Sequence, residues 1–211
     1  MSITSRLKNA MLAFKQGGGG MDKTYLPMYA NPTEIELFAR HIINAKSYLE
    51  FGCGGSTFLV AYITQATITS IESSKDFIAL LSRNELIANN LHRINLCHID
   101  IGETGAWGFP IDESKKENYP LYSRSIFEAR QDFDVIFVDG RFRVACILNA
   151  ILYCPQSTII VHDFFNREAY HIVLEFLECI ERVETLGVFK VAKYDEERLK
   201  ELYKQYQYDV K

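Results

Sequence analysis

Acidic residues recur at regular places in the chain, each at the end of a short apolar run that has the length of a β-strand. There are five such acids: Glu50, Glu72, Asp100, Asp139 and Asp163. If the runs are parallel strands of one sheet, their carboxyl ends share one edge, where open α/β sheets bind ligands. Because carboxylates are rarely buried without a partner, the recurrence predicts a polar ligand or a metal ion there. A strand usually ends in something polar, however, so each acid taken alone is weak support.

A glycine-rich turn follows the first of these acids. The segment SYLEFGCGGS spans 47–56, and a run with helical character follows at 57–64. The order strand, glycine turn, helix lets a ligand lie against bare backbone at a helix N-terminus. Glycine suits the turn because it tolerates positive φ and has no Cβ to block close approach. A tight turn without a ligand has the same order, so the turn alone leaves the function open.

The apolar and polar patterns predict an α/β fold: a Rossmann-like, doubly wound, mainly parallel sheet in a single domain. Strands are predicted at 48–51, 66–71, 94–99, 133–138 and 158–161, with shorter β-like pieces at 183–186 and 188–191. Helices are predicted from residue 32 to before the first strand, and at 57–64, 75–89, 142–152 and 168–178.

The chain divides into three predicted parts. Residues 1–24 form an N-terminal appendage with a glycine hinge at 17–20, which contacts a partner or a membrane surface or is a frayed terminus. Residues 25–195 form the main domain. Residues 196–211 form a polar C-terminal tail that is either helical or disordered.

Composition narrows the classes of function. The 211 residues are 48% hydrophobic, which suits one globular domain, and the net charge of −4 gives no reason to expect nucleic-acid binding. No apolar run reaches membrane-spanning length. The five cysteines contain no C-x-x-C pair, which predicts reduced thiols in a cytoplasmic protein. The oligomeric state stays open.

The acid-x-Gly-x-Gly pattern that starts at Glu50 resembles the first motif of the class I S-adenosylmethionine-dependent methyltransferases. In that family the loop holds the methionine half of the cofactor, and Glu50 would support the loop or a water near the cofactor's ammonium. The resemblance implies a set of cofactor-binding residues here: Glu50, Gly52, Cys53, Gly54, Gly55 and Ser56. A dinucleotide fingerprint would need a glycine where the chain has Thr57, which disfavours an NAD-dependent oxidoreductase.

Two further strand ends extend the implied cofactor site. Glu72 lies 20 residues after Gly52, at the position of the family's ribose-binding acid, where a carboxylate can accept both ribose hydroxyls. Ser73 follows it and is included in the site. Asp100 and Ile101 match the pair that usually flanks adenine, with the acid accepting from the exocyclic amine and the apolar side chain covering the ring.

Three segments narrow the resemblance to a set of bacterial methyltransferase-like proteins of uncharacterised substrate: EFGCGGST at 50–57, DIGETGAWGFP at 100–110 and VDGRFR at 138–143. The last segment carries two arginines, Arg141 and Arg143. Either could pair with Asp139 or hold an anionic substrate, because a planar guanidinium suits carboxylate or phosphate, or both could be ordinary ion-pair residues.

The fourth and fifth strand ends offer three roles. Asp139 or His162 could accept the acceptor's proton as a general base. Asp139 and Asp163 could bind Mg²⁺ or another divalent cation, since metal-dependent catechol-type O-methyltransferases have ligands in similar places. His162 and Asp163 could instead satisfy backbone groups where the strand ends.

The connection at 102–132 is long for a compact domain, and such connections are often binding segments. Its aromatic residues, with two from the N-terminal segment, would wall an acceptor pocket or anchor the connection to the core: Trp107, Phe109, Tyr119, Tyr122, Tyr25 and Tyr29. The predicted function is S-adenosylmethionine-dependent methyl transfer to a small-molecule acceptor, with oxygen as the expected target. The alternatives are a non-enzymatic binding or regulatory protein with the same fold and the disfavoured oxidoreductase.

Overall fold

The computed structural model describes residues 26–211, and its centre is a seven-stranded sheet. The strands are β1 Ser47–Phe51, β2 Thr67–Glu72, β3 Ile94–His98, β4 Val135–Val138, β5 Thr158–Val161, β6 Leu177–Val183 and β7 Leu186–Val191. Their order in the sheet is β3-β2-β1-β4-β5-β7-β6. The first five pair in parallel, and β7 pairs antiparallel with both β5 and β6. The strand order therefore reverses between β1 and β4, which is where such sheets bind ligands.

Helices cover both faces of the sheet. They are α1 Pro32–Ile42, α2 Gly55–Ile63, α3 Lys75–Ser82, α4 Glu85–Ala88, α5 Tyr119–Ala129, α6 Arg143–Tyr153 and α7 Glu196–Tyr206. Short 3₁₀ segments lie at Ala106–Gly108, Lys116–Asn118 and Glu168–Glu175. None of the helices within 26–211 is long and apolar enough to cross a membrane.

Two hydrophobic cores lie on opposite faces of the sheet because successive strand residues point to opposite sides. In β4, Ile136 and Val138 join the core that includes α5, α6 and α7, whereas Val135 and Phe137 join the core that includes α1 and α2. The doubly wound, mainly parallel fold predicted from the sequence is thus confirmed.

The prediction for 102–132 was wrong in one respect, because this stretch contains α5. Pro120 occupies the first turn of α5, where its missing N–H costs nothing, and Tyr122 and Phe127 are buried on its inner face. Proline and polar residues made the segment resemble a loop in the sequence. Its helical character is set by packing against α6 and the sheet.

Three other boundaries differ from the sequence prediction. The helix predicted at 75–89 is two helices, because the Asn84 side chain accepts from the backbone N–H groups of Leu86 and Ile87 and so caps a new helix. The helix predicted at 168–178 is the 3₁₀ segment, which stops before β6. The β-like piece predicted at 183–186 is the turn between β6 and β7.

The C-terminal tail forms α7, which agrees with the helical alternative. Leu199 and Leu202 are buried against the domain, and the carbonyls of Val210 and Lys211 accept from the backbone N–H groups at the start of α6. The predicted appendage at 1–24, with its glycine hinge, lies outside the described residues. All five cysteines are free, and Cys146 and Cys154 are buried as predicted for core thiols.

Candidate active site

The glycine bend, residues 52–55, joins β1 to α2 at the C-terminal edge of the sheet. Gly52 has φ +91°, and a Cβ there would lie 2.8 Å from the Cα of Gly140. A Cβ on Gly55 would lie 2.2 Å from the carbonyl oxygen of Pro27. Only glycine allows these approaches, so the bend packs tightly against the end of β4 and the segment before α1.

Glu50 lies beneath the glycine bend and is fully buried. Its carboxylate accepts hydrogen bonds from four hydroxyls: Tyr48 (3.0 Å), Ser56 (2.6 Å), Ser70 (2.5 Å) and Thr57. Burial raises the pKa of Glu50 to about 7, although the hydroxyls act in the opposite direction. Of its two predicted roles, the geometry matches support of the loop. The side chain of Ser56 donates to Glu50, and the predicted contact of Ser56 with the cofactor stays a prediction.

Glu72 and the glycine bend lie on the same side of the sheet and are in contact. Glu72 Oε2 accepts from the backbone N–H of Cys53 at 3.3 Å, and Oε1 accepts from those of Ser73 and Ser74 at 2.7 and 2.9 Å. Oε2 also accepts from the Cys53 thiol at 3.7 Å, which is a long contact to a weak donor that a stronger donor can replace. The positions predicted for the cofactor's ribose and methionine parts are therefore adjacent.

The pair predicted to flank adenine follows β3. Asp100 forms an ion pair with Lys115 and accepts from the backbone N–H of Gly102 at 3.1 Å. The Lys115 hydrogen bond holds the pKa of Asp100 below its usual value. Ile101 is fully buried in the core. Contact of either residue with adenine stays a prediction.

A buried arginine holds the end of β4. Arg143 Nη2 donates to Asp139 Oδ1 at 3.0 Å, and the same guanidinium donates to the carbonyls of His162 (2.6 Å) and Gly140 (3.0 Å). The Arg143 side chain is only 3% exposed. Of the two arginines in VDGRFR, this one pairs with Asp139.

His162 lies between two carboxylates. Its Nδ1 is 3.1 Å from Asp139 Oδ1, and its Nε2 is 3.6 Å from Glu34 Oε2. Burial acts to lower the pKa of His162, but the hydrogen bond to Asp139 and the nearby negative charges outweigh it, so the pKa is raised. Because both ring nitrogens face carboxylates, His162 is the less accessible of the two predicted bases.

Asp139 is the better placed of the two predicted bases. Its Oδ1 is held by Arg143 and His162, and its Oδ2 has no hydrogen-bond partner within 26–211. The side chain is 31% exposed at the C-terminal edge. An acceptor hydroxyl can therefore reach Oδ2.

Sequence reasoning missed Glu34 as part of this cluster. It lies in the first turn of α1, where it accepts from the backbone N–H of Asn31 at 2.9 Å, and this local capping contact is the only one that its sequence position indicates. Its other oxygen accepts from the backbone N–H of Thr185 at 2.8 Å, 151 positions away in the sequence. The buried carboxylate thus links α1, β7 and His162.

The residues predicted to hold a metal ion are close together but fit one poorly. Ligand atoms of Asp139, His162 and Asp163 lie within 4.8 Å of one another. Arg143, however, lies 3.0 Å from Asp139 and 3.8 Å from Asp163, and Arg167 donates to Asp163 at 2.8 Å. These cations pair with both carboxylates, and their positive charge opposes a divalent ion at the same place.

The aromatic residues of the long connection divide between the two predicted roles. Tyr119 and Tyr122 are buried and anchor α5 to the core. Trp107 is 78% exposed and meets the ring of Tyr29 edge-on, with ring centroids 6.4 Å apart. Phe109 is also exposed, so these two residues can contact an acceptor. Tyr25 lies outside the described residues.

The tip of this connection crosses the C-terminal edge. A Cβ on Gly108 would lie 3.4 Å from Ser73 Oγ and 3.8 Å from Arg141 Cγ. Since Ser73 follows β2 and Arg141 follows β4, the tip passes over the glycine bend between them. The tip therefore forms part of the wall of any site at this edge.

Solved structures with a similar fold include methyltransferases and a methyltransferase-like protein. A methyltransferase-like protein from Silicibacter pomeroyi shares 27% identity, with a TM-score of 0.77 over 90% of this chain and 100% of that one. The O-methyltransferase TomG from Streptomyces achromogenes, solved in complex with SAM, has 14% identity and a TM-score of 0.56 over 92% and 100%. The SAH-bound methyltransferase PaMTH1 from Podospora anserina has 16% identity and a TM-score of 0.53 over 90% and 88%.

No protein-family model matches the chain, and a search of curated proteins finds no significant match. The fold is nevertheless defined by the solved structures: the chain has the Rossmann-like fold of the class I S-adenosylmethionine-dependent methyltransferases. The narrower subgroup predicted from VDGRFR stays a prediction.

Proposed function

We propose that this protein transfers the methyl group of S-adenosylmethionine to an oxygen atom of a small-molecule acceptor without the help of a metal ion. The observation that carries the proposal is the contact between Glu72 Oε2 and the backbone N–H of Cys53 at 3.3 Å. It brings the predicted ribose acceptor beside the glycine bend, at the edge where this fold binds ligands. The shared fold with methyltransferases supports the same conclusion.

The residues of this chain would bind and orient the reactants. S-adenosylmethionine, when bound, would supply the methyl group of its sulfonium. This group would pass to the acceptor oxygen by in-line displacement, with S-adenosylhomocysteine as the leaving group. Glu72 would accept the ribose hydroxyls, and the bare backbone of the glycine bend would accommodate the methionine part. Alignment of two reactants can contribute roughly 7–11 kcal/mol to lowering a barrier, so positioning is the main catalytic contribution.

Asp139 would accept the proton of the acceptor hydroxyl through Oδ2. Arg143 and His162 fix Oδ1 at 3.0 and 3.1 Å, so they act as positioning residues that determine where Oδ2 points. His162 is not assigned as the base because both of its ring nitrogens face carboxylates. A metal-assisted variant is not proposed because Arg143 contacts both predicted ligands.

A binding protein that holds the cofactor without turnover is the second candidate. It is favoured by the surroundings of His162, whose two ring nitrogens both face carboxylates, which leaves Asp139 as the one assigned base. The oxidoreductase alternative has less support. Thr57, at the position of the missing glycine, is fully buried and accepts from the backbone N–H of Gly54 at 2.9 Å, so it is built into the bend.

Isothermal titration with S-adenosylhomocysteine and with NAD tests the proposal on the full chain. We expect S-adenosylhomocysteine to bind and NAD not to bind. Glu72→Gln should weaken binding about 10- to 100-fold, because hydrogen bonds to a charged group are lost. Glu85→Gln, which alters an exposed glutamate in the neighbouring helix α4, is the matched control and should leave affinity unchanged.

The outcomes separate the candidates. Binding of NAD instead of S-adenosylhomocysteine would contradict the proposal, and unchanged affinity in Glu72→Gln would reject the ribose role. Release of S-adenosylhomocysteine from S-adenosylmethionine, measured over a panel of hydroxylated acceptors, distinguishes the enzyme from the binding protein.

A further inference from the structure

Arg141 is a buried cation whose guanidinium has unsatisfied hydrogen-bond donors. The residue is 6% exposed, and its Nε and Nη1 have no hydrogen-bond partner. No ion pair formed within 26–211 includes its guanidinium. Arg143, two positions later, differs completely, because its guanidinium donates to the Asp139 carboxylate and to three backbone carbonyls.

An unpaired buried charge is unfavourable unless something else compensates it. Burial lowers the pKa of Arg141, and the positive charge of Arg143 acts in the same direction. The environment thus contains no compensating acid among the described residues. Buried polar groups without partners are rare in native proteins, so this one calls for a ligand.

The position of Arg141 connects it to the proposed reaction. It lies two residues after Asp139 in the sequence, and its Cγ would lie 3.8 Å from a Cβ on Gly108 in the tip. A ligand held by Arg141 would therefore lie beside the tip, at the edge of the sheet that carries the proposed base.

Phe109 covers one face of the Arg141 guanidinium. Its ring lies over the cation, with 4.2 Å between Cζ and the ring centroid. A ring over this face does not use the N–H groups in the plane of the guanidinium, so Nε and Nη1 remain buried donors without a partner. In-plane N–H groups of this kind are the ones that bind an oxyanion.

The charge of Arg141 and the aromatic surfaces beside the tip restrict the class of ligand. One unpaired guanidinium balances a single negative charge, which matches a carboxylate better than a phosphate monoester with a charge of about −1.5 to −2. Trp107 and Tyr29, 78% and 79% exposed, offer large aromatic surfaces beside the tip. A small aromatic molecule that carries a carboxylate fits both features.

We propose that Arg141 binds the carboxylate of the acceptor, and that the acceptor is a small aromatic hydroxy acid. This inference rests on the proposed function, because it assigns the acceptor of the same reaction. Arg141 is then a specificity-determining residue, whereas Arg143 is a positioning residue.

Isothermal titration of the protein saturated with S-adenosylhomocysteine tests the inference. The probes are the three isomeric hydroxybenzoates and their neutral amides, with phenyl phosphate as the doubly charged comparison. We expect at least one hydroxybenzoate to bind about tenfold or more tightly than its amide. Arg141→Gln should abolish that preference, and Arg141→Lys, which keeps the charge but not the planar fork, should reduce it.

Arg182→Gln is the matched control. Arg182 also lies over a phenylalanine ring, with 3.8 Å between its Cζ and the ring centroid of Phe165. Unlike Arg141, it is exposed, and it belongs to β6, the edge strand two strands beyond β5. Its substitution should change neither the affinity for the hydroxybenzoates nor that for S-adenosylhomocysteine.

Four results would overturn the inference. Equal or absent binding of acids and amides by the wild type would reject the carboxylate, and tighter binding of phenyl phosphate would replace it by phosphate. A loss of S-adenosylhomocysteine affinity in Arg141→Gln, with the preference for acids intact, would assign Arg141 to the cofactor instead. Failure of the wild type to bind S-adenosylhomocysteine would overturn the proposed function together with the inference, whereas the other three leave that function standing.

Discussion

The two halves of the sheet's C-terminal edge satisfy their carboxylates in different ways. At the ends of β1 and β2, Glu50 accepts from hydroxyls and Glu72 accepts mainly from backbone N–H groups. At the ends of β4 and β5, Asp139 and Asp163 are held by buried or half-buried cations. The first half, which is the ends of β1 and β2, uses neutral donors, and the second half, which is the ends of β4 and β5, uses charged ones. Asp100 after β3 lies outside both halves and pairs with Lys115.

This difference suits the two tasks proposed for the edge. Neutral donors stabilise a carboxylate without adding a positive charge beside it, so Glu72 stays attractive to a cofactor that carries a sulfonium and an ammonium. Arginine cancels the charge and fixes the geometry, so the second half is suited to holding Asp139 in one orientation. Arg141 lies at the junction and belongs to neither arrangement.

Removing the central cation of the second half should have the largest effect. Arg143→Met leaves Asp139 and the carbonyls of Gly140 and His162 without their donor, and breaking a buried pair typically costs about 3–5 kcal/mol. Urea unfolding at neutral pH measures this loss in the free energy of unfolding. Arg167→Met is the matched control, since it also pairs with Asp163 but is 40% exposed and should cost less than about 1 kcal/mol. Equal losses of stability in Arg143→Met and Arg167→Met would contradict the special role given to the buried cation of the second half.

Glu50 should give the first half its own pH dependence. Its pKa is about 7 in the folded protein against 4.5 as the ordinary value, so the folded state keeps a proton that the unfolded state releases. Stability should therefore fall as pH rises from 4.5 to about 7 and then level off, by an amount on the order of 3 kcal/mol. Urea unfolding across this range should show a steeper fall in the wild type than in Glu50→Gln.

For Glu50, Glu85→Gln serves as the control and should keep the wild-type slope, because its side chain is exposed. Parallel pH profiles for the wild type and Glu50→Gln would mean that the buried carboxylate does not titrate in this range.

His162 should give the second half a pH dependence of stability that comes from pairing with carboxylates. Its pKa is raised above 6.5 against the opposing effect of burial, mainly by Asp139. The contribution of His162 to stability is therefore complete below 6.5 and is lost as pH rises through the raised pKa. The stability difference between the wild type and His162→Gln, measured by urea unfolding, should be larger at about pH 6 than at about pH 9.

The groups that face His162 are Asp139, Asp163, Glu34 and Arg143. The pKa values of Glu34 and Asp163 are lowered from 4.5 and 3.8, so their contributions are lost only in acid, below the range compared. His92→Gln, at an exposed histidine, should show no such trend. A difference that grows with pH would reject the ion-pair interpretation.

A divalent cation should have the smallest effect. Since guanidinium groups already pair with Asp139 and Asp163, adding Mg²⁺ or a chelator should leave S-adenosylhomocysteine affinity and thermal stability within error of the untreated protein. A clear gain in either with Mg²⁺ would show that the second half exchanges Arg143 for metal, and the contrast between the halves would then need revision.

Local signals in the sequence predicted much of this structure. The apolar runs identified five strands of the parallel sheet, and the three glycines after the first run identified the glycine bend. Glu72 followed from its place at the end of β2. These features depend on a few neighbouring residues, and a sequence displays such neighbours directly.

Long-range pairs were beyond such reasoning. No local pattern indicates that Glu34 meets His162, or that Asp100 pairs with Lys115. Helix α5 was missed for a related reason, because its polar composition is compatible with a helix only once Tyr122 and Phe127 have a core to enter.

The VDGRFR segment separates what the sequence alone determined from what only the tertiary structure decided. The sequence determined that two guanidinium groups follow the acid of β4. Only the folded chain decided which of them is paired. Phe142, with φ +54°, turns the backbone between the two arginines, after which α6 directs Arg143 towards Asp139 while Arg141 lies under Phe109. Side-chain direction depends on backbone dihedrals and on partners from distant elements, neither of which is written in residue type.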